Sequence, residues 1–473
     1  ALQRVRGVPR ALQAERDARG CLLLPSAPDP LQGNGRGLIL TLDETIQNVV
    51  EEELGRAVEQ SQARGGIAVA LDPSTGEILA LAQVPLFNPN AVQESRPEDR
   101  KVKAVVDVYE PGSTLKAAFL GLLFDQGLAR PTDVVFCENG SWTVHGRTIH
   151  DTHPHRWLSV ADVLKVSSNI GVAKLSEKIS PQAFYEGLER FGLGAPTQVE
   201  LGGESGGILP APRTWSKITA KTVSYGQGIS ATAIQVASAL AAVANGGVRM
   251  RPRLVRAVLD EGGQETDRIE PEVAGRALSA EAAAALVRLM ERVVSAEDGT
   301  GTRAAVPGYR VAGKTGTSWK PDPSGGGYLR DKIVASFAGF VPSRAPRLAL
   351  LVAVDEPSMG SRYGGMIAAP AFREMARRIL GYLQVPPEEG PGEEPATVAE
   401  VHRAPRGEGE TPGGAMPDVQ GLTMREALRR IEASGVGIRL SLLGSGVAAS
   451  QDPAPGTVLD GGQACRIVFR PLL

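Results

Sequence analysis

Glu110-Pro111-Gly112-Ser113-Thr114-Leu115-Lys116-Ala117-Ala118-Phe119-Leu120-Gly121-Leu122-Leu123 reads as a turn running into an apolar helix. The Pro-Gly pair marks the turn. From Ser113 onward Leu115, Ala118, Phe119, Leu122 and Leu123 recur at helical spacing until Gly127 supplies a stop. The serine therefore opens a buried helix, and Lys116, three residues on, shares its face. That puts a base beside a nucleophile. A serine hydroxyl attacks well only if its proton is taken, and a lysine takes it only if burial and neighbouring charges favour the neutral amine. The free N–H groups and positive dipole end of the helix N-terminus favour the oxyanion formed in such an attack.

No other serine is followed three residues later by lysine, and two further motifs occur once each, in order: Ser167-Ser168-Asn169 and Lys314-Thr315-Gly316-Thr317. Ser167 and Asn169 close a helical stretch that begins with a cap-like Ser159 and continues through Val160, Val163 and Leu164, so they belong in a loop between helices. A hydroxyl and an amide there can bridge Lys116 to a leaving group and hold a substrate amide. Tyr309-Arg310-Val311-Ala312 alternates polar and apolar before Gly313-Lys314, which predicts a strand. A strand edge offers backbone amides in a row: Lys314, Thr315 and Thr317 would bind a substrate carboxylate, and the Thr317 N–H would join that of Ser113 as an oxyanion donor.

This ordered triplet is a known signature of penicillin-reactive serine enzymes. Thr41-Leu42-Asp43-Glu44, Leu71-Asp72-Pro73-Ser74-Thr75-Gly76-Glu77, Phe87-Asn88-Pro89-Asn90, Ser224-Tyr225-Gly226-Gln227-Gly228 and Ala244-Asn245-Gly246-Gly247 extend the likeness. Over roughly residues 38 to 385 the chain resembles the transpeptidase domain of class B penicillin-binding proteins, the division and sporulation branches above all. The resemblance implies D,D-transpeptidation of peptidoglycan stem peptides, inhibition by β-lactams, no cofactor and no metal. It implies Ser113 as acylated nucleophile, Lys116 as base, Ser167 as proton relay, Asn169 as positioning amide, and Lys314, Thr315, Gly316 and Thr317 as the carboxylate clamp. A membrane glycan polymerase and division proteins are the implied partners.

The 473 residues are enough for more than one domain, and a net charge of −2 gives no electrostatic case for nucleic acid. Cys21, Cys137 and Cys465 are too few and too far apart for a disulfide framework or a zinc ligand set. No apolar run reaches the ~20 residues of a membrane helix. The resemblance implies action on the outer face of the cytoplasmic membrane, so the expectation is a fragment lacking its anchor. Residues 1 to 37 would then be a pedestal remnant, with Glu15-Arg16-Asp17-Ala18-Arg19-Gly20 in its last hairpin.

Ile46, Val49, Val50, Leu54, Ala57 and Val58 predict an amphipathic helix. Ile67 to Leu71 and Glu77 to Leu81 predict a hairpin, Ile333 to Val341 and Leu348 to Val354 two more strands, and Pro370 to Leu383 a helix. Strands at both ends with helices between them describe an α+β domain, the penicilloyl-serine transpeptidase fold: an antiparallel sheet flanked by helices, with a helical subdomain inserted and the serine helix between two lobes. Residues 386 to 414 are rich in Pro, Gly and Glu and read as a flexible linker. Residues 415 to 473, with Met416-Pro417-Asp418-Val419, the helical Ala427 to Ile431 and Gln451-Asp452-Pro453, resemble one PASTA module, a small β-rich unit with one helix.

Three other patterns compete. Gly308-Tyr309-Arg310-Val311-Ala312-Gly313-Lys314-Thr315 fits the P-loop expression, with Asp355-Glu356 as an acidic strand end, but the Gly/Pro-rich run to Gly327 forbids the helix that a phosphate-binding loop needs. Gly203-Glu204-Ser205-Gly206-Gly207 fits a nucleophile elbow, which Pro210 and Pro212 disallow. His150, Asp151, His153 and His155 are interrupted by Pro154 and read as polar loop residues. Carboxypeptidase, β-lactamase and penicillin-sensor activities share the first acylation and stay open as alternatives.

Overall fold

The computed structural model describes residues 15–16, 19, 22–23, 35–388 except 261 and 325, and 415–470 except 434–438, 445–446 and 460–462. Chain contacts divide it into Ala1–Glu388 and Glu389–Leu473.

In the first unit, helix α1 (Glu44–Gln60) starts where the Asp43 carboxylate accepts the Ile46 N–H at 3.0 Å, an N-cap. Strands β1 (Gly65–Leu71) and β2 (Ile78–Val84) form the expected hairpin. Its turn is pinned by Asp72, whose carboxylate accepts the Ser74 N–H at 2.8 Å. Gly76 there has φ +75°, and a side chain at that position would stand 2.3 Å from the Arg251 carbonyl oxygen.

Helix α2 (Leu115–Asp125) carries the serine motif, α3 (Val160–Lys165) and α4 (Asn169–Leu175) flank the second motif, and α5 (Ala233–Ala244) and α6 (Ala280–Ser295) follow among the further helices. The chain then returns to the sheet as β3 (Ala312–Pro321), β4 (Tyr328–Val341) and β5 (Leu348–Asp355), and ends in α7 (Gly364–Tyr382). The five strands lie in the order β3-β4-β5-β1-β2, antiparallel throughout, so β3 is an edge strand.

Alternation sorts the core into two layers. Leu348, Leu350, Val352 and Val354 face α1 and α7 with Ala68 and Ala70. Ala349, Leu351, Val69 and Leu71 face α2 and α5 with Phe119, Ile234 and Ala237. The α+β expectation is met: an antiparallel sheet lies between helical layers.

Two boundaries differ from expectation. α7 begins at Gly364, six residues before Pro370, which lies inside it. A proline there removes one helical bond, but Ala368, Ala369, Phe372, Met375 and Ile379 are buried on one face, and that packing carries the helix through. Ser113 lies in a 3-10 turn (Gly112–Thr114), with the α-helix starting at Leu115.

Glu15–Arg16 pairs with Leu22–Leu23, a short antiparallel hairpin. Apart from Arg19, the remainder of the N-terminal segment before residue 35, Cys21 included, and the linker from 389 to 414 lie outside the described residues. In the second unit α8 (Met424–Ala433) accompanies β6 (Arg439–Gly444), β7 (Val447–Asp452) and β8 (Ala464–Arg470). β8 is central, parallel to β6 and antiparallel to β7. Met416, Val419, Ala427, Ile431, Ile467 and Phe469 form its core.

Candidate active site

Ser113 sits half-buried in a turn that is closed by the Thr114 hydroxyl donating to the Pro111 carbonyl at 2.7 Å. Gly112 has φ +55°, its N–H donates to the Gly226 carbonyl at 3.1 Å, and a side chain on it would lie 3.1 Å from the Thr317 carbonyl oxygen. Glycine is needed because the nucleophile turn is wedged between the Tyr225–Gly228 loop and β3. That wedge brings the first motif against the third.

Lys116 is 0 % exposed. Its Nζ donates to the Ser167 carbonyl (2.6 Å), Ser167 Oγ (3.1 Å) and Asn169 Oδ1 (2.7 Å), joining the first motif to the second. Burial lowers its pKa to about 7, with the nearby Asp151 charge opposing the shift. The neutral amine, the state a general base needs, is therefore within reach near neutral pH.

Ser167 has φ +62°, a left-handed conformation rare for a residue with a side chain. This turn aims both its carbonyl and its hydroxyl at Lys116. The support is Asp151: its Oδ2 accepts from Ser168 Oγ (2.5 Å), and its Oδ1 accepts the N–H groups of Asn169 (2.6 Å) and Ile170 (3.0 Å) at the start of α4. Asn169 Nδ2 donates to the His150 carbonyl at 2.9 Å. Asp151, set among the polar loop histidines by sequence, is instead the carboxylate that builds the second motif. Its separation from Ser167 carries no local pattern, so no signal in the sequence pointed to it.

Lys314 is also buried, and its Nζ donates to the carbonyl (3.2 Å) and hydroxyl (3.1 Å) of Thr315, whose hydroxyl donates to Thr300 Oγ1 at 2.9 Å. Burial first, and then the charge of Lys116, hold its pKa well below the usual lysine range. Two amines close to one another resist joint protonation. At Gly316 a side chain would stand 2.3 Å from Ser336 Oγ and 2.9 Å from Thr114 Cγ2. The Thr317 hydroxyl accepts the Gly364 N–H at 3.2 Å. Thr300 is a second contributor that the sequence did not single out. Lys314-Thr315 lies inside a strand and is followed by more strand, so the helix of a phosphate-binding loop is not there.

Fold and site together set a half-buried serine and a buried lysine between an antiparallel sheet edge and a helical lobe. The penicillin-binding protein transpeptidase domain matches residues 66–377, and the PASTA domain matches residues 414–469. The chain belongs to the penicillin-binding protein transpeptidase family. It is 33% identical over 385 residues to the probable peptidoglycan D,D-transpeptidase PenA of Neisseria flavescens, covering 81% of this chain and 92% of that protein. It is 34% identical over 351 residues to the peptidoglycan D,D-transpeptidase FtsI of Escherichia coli K12, covering 74% of this chain and 57% of that protein. Among solved structures, penicillin-binding protein 3 of Mycobacterium tuberculosis in complex with ampicillin is similar with a TM-score of 0.70 and 33% identity, covering 76% of this chain and 81% of that one.

Proposed function

We propose that this protein is a peptidoglycan D,D-transpeptidase that forms an acyl-enzyme at Ser113 and passes the acyl group to an amine of a second stem peptide. The observation that carries the reading is the Lys116 amine: fully buried, lowered to about 7, and bonded to both Ser167 and Asn169.

Ser113 Oγ attacks the penultimate D-Ala carbonyl while its proton passes to Lys116. The carbon–nitrogen bond to the terminal D-Ala breaks as Ser167 relays that proton to the leaving nitrogen. The backbone N–H groups of Ser113 and Thr317 are the proposed oxyanion donors. Lys314, Thr315, Gly316 and Thr317 take the terminal carboxylate, and Asn169 orients the substrate amide. A neutral acceptor amine then attacks the ester, the bond from carbonyl carbon to Oγ breaks, and the amine's proton returns through Lys116 to Ser113. A β-lactam enters the same acylation and stays on the serine.

The site of action is the outer face of the cytoplasmic membrane, with a membrane glycan polymerase and division proteins as partners. Among the described residues no helix is long and apolar enough to cross a membrane. Labelled penicillin tests the reading: it attaches at Ser113 and not to Ser113→Ala. Mass analysis of products from isolated wall fragments then separates the reactions. A D,D-crosslinked dimer supports transpeptidation, whereas trimmed monomer alone overturns it in favour of a carboxypeptidase.

A further inference from the structure

The transfer half of the reaction poses an electrostatic problem. The acceptor amine reaches the site as an ammonium, yet the groups that flank Ser113 are two lysines, Lys116 and Lys314, close enough to feel each other's charge. An approaching cation needs a carboxylate with unused acceptor capacity. Asp151 bonds the Ser167–Asn169 turn, and Glu110 bonds the loop beside the serine turn. Asp151 has both oxygens engaged, by Ser168, Asn169 and Ile170. Glu110, three residues before the nucleophile, does not. Its Oε1 accepts the Gly228 N–H (2.8 Å) and the Tyr328 hydroxyl (3.0 Å), while its Oε2 is screened from solvent and bonded to nothing.

An unpartnered oxygen on a residue only 8 % exposed is costly to keep. The first oxygen has a structural use, because it ties the serine turn to the Tyr225–Gly228 loop and to the start of β4. The second has none in the resting protein. The exposed Arg147 guanidinium is within electrostatic reach of Tyr225 and Tyr328 but makes no ion pair with Glu110. Tyr328, whose hydroxyl donates to Oε1, packs against Trp319 with ring centroids 6.3 Å apart, and Trp319 is 47 % exposed.

We propose that Glu110 is a specificity-determining residue for the acceptor, receiving the ammonium of the incoming amine on its free oxygen once the Tyr328 ring turns aside. The inference rests on the transpeptidase reading. The bound ammonium first loses one proton to solvent. The nitrogen lone pair then forms the new amide bond as the bond from carbonyl carbon to Ser113 Oγ breaks, and the proton lost from the attacking nitrogen passes through the neutral Lys116 amine to restore the serine hydroxyl. Burial raises the pKa of Glu110, as fits a carboxylate held without a cation.

Glu110→Gln keeps an oxygen for Gly228 and Tyr328 but removes the charge. The full chain is acylated with a D-alanyl thioester donor and offered either glycinamide, a cationic acceptor, or methanol, an uncharged one. The expected result is at least a tenfold fall in aminolysis relative to hydrolysis, expressed in the acceptor KM, with methanolysis keeping its ratio to hydrolysis. An aminolysis ratio within twofold of the parent protein overturns the proposal. So does a fall in methanolysis in step with aminolysis, which would mark Glu110 as structural only; Glu110→Ala, which loses the bonds of Oε1 as well, is the reference for that pattern. A parent protein that penicillin does not acylate at Ser113 would overturn the transpeptidase reading itself, and this inference with it.

Discussion

If Lys116 is the base proposed for Ser113, the pH at which the serine can lose its proton is set by the burial of that lysine. Its pKa falls from an ordinary 10.5 to about 7, so the reactive neutral amine grows with pH up to that value. Penicillin acylation should therefore rise close to tenfold per pH unit below about 7 and level off above it, measured as the acylation rate constant. The same shift has a stability sign. Between about 7 and 10.5 the unfolded chain holds a proton on this lysine that the folded protein has released, so its contribution to stability increases with pH across that window. Asp151 acts on both counts, because its charge raises the pKa of Lys116 and its oxygens hold the Ser167–Asn169 turn. Asp151→Asn should move the acid limb of the rate profile to lower pH and reduce the plateau about tenfold. A profile superimposable on that of the parent protein would remove Asp151 from this role.

At the scale of elements, β3 packs closely against the Gly112–Thr114 turn, and Gly316 is what permits the approach. Gly316→Ala would drive a methyl group into Ser336 Oγ and Thr114 Cγ2. Overpacking of that kind costs about 1–3 kcal/mol, and here it also pushes β3 away from Ser113. Chemical denaturation should show the loss, with penicillin acylation slowed at least tenfold. Ser336 pairs with Gly316 across β3 and β4, and its hydroxyl is the nearest obstacle. Adding Ser336→Ala to Gly316→Ala should recover part of both. If the second change recovers neither, the contact is not what limits the strand.

At the scale of the whole molecule, every residue assigned to acylation lies before Glu388, within the first compact unit. A chain ending at Glu388 should keep the acylation rate of the full chain within about twofold, a margin worth well under 1 kcal/mol of barrier. The C-terminal module has one small core around Met416, Ile431, Ile467 and Phe469, and a domain of that size is marginally stable. Scanning calorimetry of the full chain should resolve two transitions, the smaller one lost on truncation. A tenfold slower truncated enzyme would show that the module supports catalysis.

Local chemistry made much of this readable from the sequence. Helical spacing placed Lys116 on a buried helix, alternation placed Lys314 in a strand, and the Gly/Pro-rich run after it denied the chain a phosphate-binding loop. These are rules about residues a few positions apart, where backbone geometry fixes who meets whom. Asp151, Thr300, Glu110 and the fit of Gly316 against Ser336 were not readable, because each depends on contacts between segments far apart in sequence. The start of α7 was misjudged for the same reason: Pro370 signals a break locally, and burial of Phe372 and Met375 against the sheet overrides it. The sequence determined which groups could do the chemistry and on what elements they ride. Only the tertiary structure decided their protonation and spacing, since desolvation, the charge of Asp151 and the wedge at Gly112 exist only once the sheet edge and the helical lobe have closed on one another.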